Sequence, residues 1–146
     1  MSPGYVFDTE ALIAFLYDEP GHEYVADLLD DVESGQAEGL LSETNASEVY
    51  SLVGCFEGTD ADAPTTDSFR VADRDLRALR RHGVVIERAD WQLAGEVKAD
   101  GDISLADAHA VALAHERDAT LVVGGDGDFD ELPLEIDTER FRDHGV

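Results

Sequence analysis

Short apolar blocks that alternate with helical segments are the feature that most constrains how this chain can fold. Tyr5-Val6-Phe7 runs directly into Asp8, and Glu10 to Leu16 then takes helical spacing until Pro20-Gly21 stops it. The strand pattern recurs at Gly39-Leu40-Leu41-Ser42, Val84-Val85-Ile86, Thr120-Leu121-Val122-Val123 and Leu134-Glu135-Ile136. Between these blocks helical periodicity covers 22–34, a segment through Val49 and Phe56 that Asn45 is expected to cap, and about 68–82, 90–100 and 105–117. Short β-branched strands alternating with helices predict an α/β fold with a parallel sheet covered on both faces. At 146 residues one domain, 1–146, is expected, with 58–67 (GTDADAPTTD) as an internal loop. Functional groups of such sheets gather at the carboxyl ends of the strands, where Asp8 and Asp126 both fall.

Charge narrows the partners. Asp and Glu outnumber Lys and Arg 34 to 10, for a formal net charge of −24. Disorder is excluded as the explanation, because 43% of the residues are hydrophobic and they occur in blocks. The basic residues are nine Arg and Lys98, and 20 of the acids are Asp, which is the composition expected of a salt-adapted, halophilic host. Taken alone, this charge disfavours phosphate backbones as partners, since non-specific nucleic-acid binding rests on Lys and Arg. The lone Cys55 excludes an intrachain disulfide, a thiolate zinc site and a CxxC pair. Neither a signal-peptide pattern nor a membrane-length apolar run is visible, so a cytoplasmic protein with no membrane partner is expected.

Four acids stand out from this acidic background. Around 105–114 (LADAHAVALA) the apolar positions cover nearly the whole helix circumference, so Asp107 in the first turn enters a buried helix. An unpartnered buried carboxylate costs several kcal/mol, and Asp107 therefore needs a cation, a donor or a proton; an N-terminal capping pattern begun by Ser104 is the alternative. Glu48 lies about 100° from the centre of the Ala46, Val49, Val53, Phe56 face, where it reaches either a crevice or solvent. Asp8 and Asp126 each have a turn or cap alternative. Carboxylates sharing one crevice repel unless cations neutralise them, and oxygen donors without thiolates select Mg²⁺ or Mn²⁺.

In this order the acids and their surroundings resemble the PIN domain, and within it the short VapC-type toxin ribonucleases. The segments that carry the resemblance are VFDTEALIAFLYDEPG at 6–21, SETNASEV at 42–49, ISLADAHAVALA at 103–114 and LVVGGDGDFDEL at 121–132. Together they span essentially the whole chain. The resemblance implies a four- or five-stranded parallel sheet of order 3-2-1-4-5 between helices. It implies that Asp8, Glu48, Asp107 and Asp126 are the catalytic, metal-binding acids, with Asp128 as an auxiliary metal ligand and Thr9 as the small hydroxyl residue after the first acid. Gly124 departs from the pattern, because Thr or Ser more often stands two residues before the last acid. The implied activity is Mg²⁺-dependent (or Mn²⁺-dependent) hydrolysis of RNA phosphodiester bonds, with the metal supplying the positive charge the protein lacks. A VapB-like antitoxin and a homodimer are the implied partners.

Other readings stay open at this point. Arg70, Arg74, Arg77 and Arg81 share one helix face opposite Phe69, Ala72, Leu76 and Leu79; the stripe contacts RNA or a partner, or is paired by neighbours such as Asp73. His22 and His109 read as structural. A PIN-like acidic scaffold without turnover, or a PIN nuclease of RNA processing outside a toxin–antitoxin pair, are the functional rivals. A phospho-aspartate phosphatase is disfavoured because Asp8-Thr9-Glu10 lacks the second Asp, and a receiver domain because Lys98 lies within a helix.

Overall fold

The computed structural model describes residues 2–124, 129 and 132–142. Its elements are β1 (Gly4–Phe7), α1 (Thr9–Leu16), α2 (His22–Glu33), β2 (Glu38–Ser42), α3 (Glu43–Phe56) and α4 (Thr66–Arg81). They continue with β3 (Val84–Glu87), α5 (Trp91–Asp100), α6 (Leu105–Arg117), β4 (Thr120–Val123) and β5 (Thr138–Arg140). The sheet order is β3-β2-β1-β4-β5 with every pairing parallel, the order implied by the PIN resemblance.

Alternation along the strands divides the core into two layers. Phe7, Leu41 and Val122 face α1, α2, α3 and α4, where they meet Leu12, Val25, Val49 and Val53. Their neighbours Val6, Leu40, Leu121 and Val123 face α5 and α6, where they meet Val97, Val111 and Leu113. The expected all-round burial of α6 holds, with Ala106, Ala108, Ala110, Val111, Ala112, Leu113 and Ala114 all buried.

Close approaches need glycine at two points. Gly54 of α3 faces Phe69 of α4, and a Cβ there would stand 2.4 Å from the ring. Phe69 also stacks on Tyr50 at 4.9 Å between centroids, so the α3–α4 pair closes on an aromatic contact. Gly21 combines φ +89° with the close backbone and ring of Phe141, which fixes the turn into α2.

Three expectations change. The last strand is not Leu134-Glu135-Ile136 but Thr138–Arg140, in register with Leu121–Val123. Leu134 and Ile136 are apolar because they pack against the α5–α6 layer, while the edge strand itself is polar and accessible. Ser42, not Asn45, caps α3, and Asn45 sits buried in its first turn. The helix expected from about residue 68 begins at Thr66, because Thr65 and Ser68 form a reciprocal capping box. The arginine stripe divides: Arg70 pairs with Asp67, Arg74 with Asp75, and Arg77 with Asp73 at 2.8 Å. No helix among the described residues is long and apolar enough to cross a membrane.

Candidate active site

A parallel sheet sends the chain from each strand's carboxyl end into a helix N-terminus, and here three such N-termini meet at one edge. Asp8 follows the last residue of β1 and caps α1, its Oδ1 accepting from the Ala11 N–H at 2.7 Å. Ser42 ends β2 and caps α3, its Oγ accepting from the Asn45 N–H at 3.0 Å. Ser104 caps α6, which leads back to the start of β4, so the first turn of α6 lies at the same edge; its Oγ accepts from the Asp107 N–H at 3.1 Å. The capping alternative for Asp107 thus describes its backbone. The partial positive charge of each helix N-terminus favours a carboxylate nearby.

Asp8 is the most deeply placed of the expected acids, with 1% exposure. Glu48, in the second turn of α3, and Asp107, in the first turn of α6, are half-buried, which is the boundary position expected for Glu48. Helix α3 packs against both α1 and α6, and α6 against β1, so the elements that carry these three acids are mutually in contact. Asp126 and Asp128 lie outside the described residues. Among the described residues, no three His, Cys, Asp or Glu side chains are set closely enough to hold a metal ion. The donor chemistry nonetheless fits a hard divalent cation, because the candidates are all carboxylates and Cys55 lies elsewhere, on α3 near its end.

A buried polar network lies beneath the edge. The Asn45 side-chain amide donates to the Thr9 hydroxyl at 3.0 Å, and the Ser42 hydroxyl donates to the Asn45 carbonyl oxygen. The acceptor on Asn45 is its side-chain Oδ1, and all three residues are buried. The signal was available in the Ser42-x-x-Asn45 spacing of a capped helix start.

An ion-pair cluster is set on the first turn of α1. Arg142, after β5, pairs with Glu10 of α1 and reaches Glu19 at 3.5 Å. Gly124 lies against this pair: a Cβ there would stand 2.7 Å from Glu10 Oε2 and 3.1 Å from Arg142 Nη1. The departure at Gly124 therefore makes room for an ion pair that a Thr or Ser would crowd. His22 stands near Asp18 and Glu23 on the surface, and His109 Nδ1 lies 2.9 Å from the Leu105 carbonyl oxygen, local contacts consistent with structural roles.

Against known families, residues 5–134 match the PIN domain. The chain belongs to the PIN domain family. PIN domains are generally nucleases, which places the protein among hydrolases acting on nucleic acid, and PIN nucleases typically use divalent metals. Among solved structures, this PIN domain is similar to VapBC2 from Rickettsia felis bound to a promoter DNA fragment, with 14% identity, 94% of this chain and 98% of that chain covered, and a TM-score of 0.67. It is also similar to FitAcB from Neisseria gonorrhoeae, with 15% identity, 94% and 97% coverage, and a TM-score of 0.62. DNA-bound VapBC from Salmonella typhimurium follows, with 14% identity, 97% and 99% coverage, and a TM-score of 0.61. At these identities the likeness is one of fold. No curated protein matches the sequence.

Proposed function

We propose that this PIN domain is a Mg²⁺-dependent (or Mn²⁺-dependent) endoribonuclease, the toxin of a VapBC-type pair. The observation that carries the reading is the Asp8 carboxylate, 1% exposed at the carboxyl edge of the sheet, on elements packed against those that bear Glu48 and Asp107. Carboxylates gathered at one sheet edge repel one another, and a divalent cation held among them would offset that repulsion. Asp8, Glu48, Asp107 and Asp126 would hold the ion, with Asp128 as auxiliary. Bound there, a divalent ion lowers the pKa of a water and offsets charge on the phosphate and the leaving oxygen.

The protein's own part is to fix the donors. Asp8 is held by its cap bond to Ala11, while the Ser42–Asn45–Thr9 network locks the start of α3 to the start of α1. That tie sets the helix bearing Glu48 against the helix that Asp8 caps.

The similar structures from Rickettsia felis and Salmonella typhimurium are of VapBC, which supports a VapB-like antitoxin as partner here. A homodimer completes the proposed assembly.

The deciding experiment incubates purified protein with a structured RNA pool in high salt, with and without Mg²⁺, beside Asp8→Ala. Cleavage that needs Mg²⁺ and disappears in the variant is expected. Metal-independent cleavage, or cleavage by Asp8→Ala, overturns the mechanism. The rival is an acidic binding module without turnover, favoured by the absence, among the described residues, of three closely set metal-type ligands. It predicts that no RNA is cut under any metal and that Asp107→Asn leaves partner binding intact.

A further inference from the structure

The sheet ends at β3, and a groove of about 520 Å³ there is lined by Val84, Val85 and Ile86 together with Arg77, Arg80 and Arg81 of α4. Successive strand residues point to opposite faces, so a groove touching three in a row follows the strand's edge, not either face of the sheet. An edge strand carries main-chain N–H and C=O groups with no neighbouring strand to take them. Val85 adds an apolar side chain that is 49% exposed.

The charge of this groove reverses that of the molecule. Three of the chain's ten basic residues converge on it, in a protein of net charge −24. Arg77 is already paired with Asp73, whereas Arg80 and Arg81 are exposed and, among the described residues, in no ion pair. Their place at the last turn of α4 suits the helix dipole, but that role does not require them to line a groove with an accessible apolar strand edge.

We propose that the β3 edge docks an extended acidic peptide segment of a partner protein, which adds a strand to the sheet while its carboxylates pair with Arg80 and Arg81. A peptide main chain complements the open edge, an alternate apolar side chain covers Val85, and acidic residues between them meet the arginines. RNA fits less well. A peptide main chain bonds the open N–H and C=O groups of β3 in strand register, which a sugar-phosphate backbone cannot do. The inference is independent of the nuclease reading and survives or fails without it.

The test is fluorescence anisotropy with a fluorescein-labelled decapeptide of alternating Glu and Val, titrated with the full chain at constant salt. Saturable binding is expected, weakened at least about tenfold by the double substitution Arg80→Ala/Arg81→Ala and by Val85→Asp. All three positions are accessible, and unchanged circular dichroism of the variants verifies their folding. Three results overturn the proposal: no saturable binding, equal binding of the Lys-Val decapeptide, or equal binding by the variants. A single-stranded RNA decamer that binds more tightly than the peptide, and loses binding in the same variants, assigns the groove to RNA and overturns it as well.

Discussion

Asn45 and Thr9, 36 positions apart in the chain, are joined by a buried hydrogen bond of 3.0 Å that ties the first turn of α3 to the first residue of α1. Because Asn45 also accepts from the Ser42 hydroxyl, both ends of its amide are used. Asn45→Ala leaves two buried hydroxyls short of a partner. A stability loss of about 1–3 kcal/mol is expected, read as a lower urea midpoint at unchanged slope. Nuclease activity under folding conditions should fall too, because Asp8 caps α1 and Glu48 lies on α3, both proposed metal ligands.

Asp8 has two separable roles, cap and ligand. Asn caps a helix about as well as Asp, whereas Ala loses about 1 kcal/mol. Without metal, Asp8→Asn should therefore be at least as stable as the parent, and Asp8→Ala measurably less so in thermal denaturation. Both should lose about 10²-fold or more in RNA cleavage, equivalent to about 2.7 kcal/mol of transition-state stabilisation. Retained cleavage by Asp8→Asn would restrict Asp8 to capping.

Much of this was legible in the chain. The alternating apolar blocks and the all-round apolar helix around Asp107 are strong periodic signals, and the four motif segments supply the strand order. What escaped depends on contacts distant in sequence or on polar edges. The residues of β5 carry no apolar alternation, because an edge strand buries little, so the pattern pointed to Leu134 and Ile136, which are apolar for packing. The Arg142–Glu10 pair spans 132 positions and has no local signature. Asn favours caps, which points to Asn45, yet the Ser three residues earlier takes that place and leaves the amide for Thr9.

Tyr17 makes folding sensitive to alkali. Burial first, and then its 3.0 Å hydrogen bond to Glu57, push its hydroxyl up from 10.0 to about 12. The folded state thus holds the proton more tightly than the unfolded chain. The sign follows: this contribution is complete below pH 10 and is lost as pH rises toward about 12. Tyr24, half-buried and bonded to Glu139, is shifted in the same direction and adds to the loss. Urea midpoints measured from pH 9 to pH 12 should fall more steeply for the parent than for Tyr17→Phe. Parallel curves would remove Tyr17 as a cause.

Gly124 offers a sharp test of what a residue without a side chain accommodates at this position. A side chain there meets Glu10 Oε2 at 2.7 Å, the far end of a flexible residue, so Gly124→Ser should fold while displacing Glu10 from Arg142. The pair is partly exposed, with side chains 32% and 37% accessible, and its loss should cost no more than about 1 kcal/mol. The relation between the two positions is better measured than either alone. In an Arg142→Gln background the pair is already absent, and Gly124→Ser should then cost less than in the parent. A double-mutant cycle by chemical denaturation should show coupling of about 0.5 kcal/mol or more. Strict additivity would mean that the glycine is not there to accommodate the ion pair, and that the departure at this position has another origin.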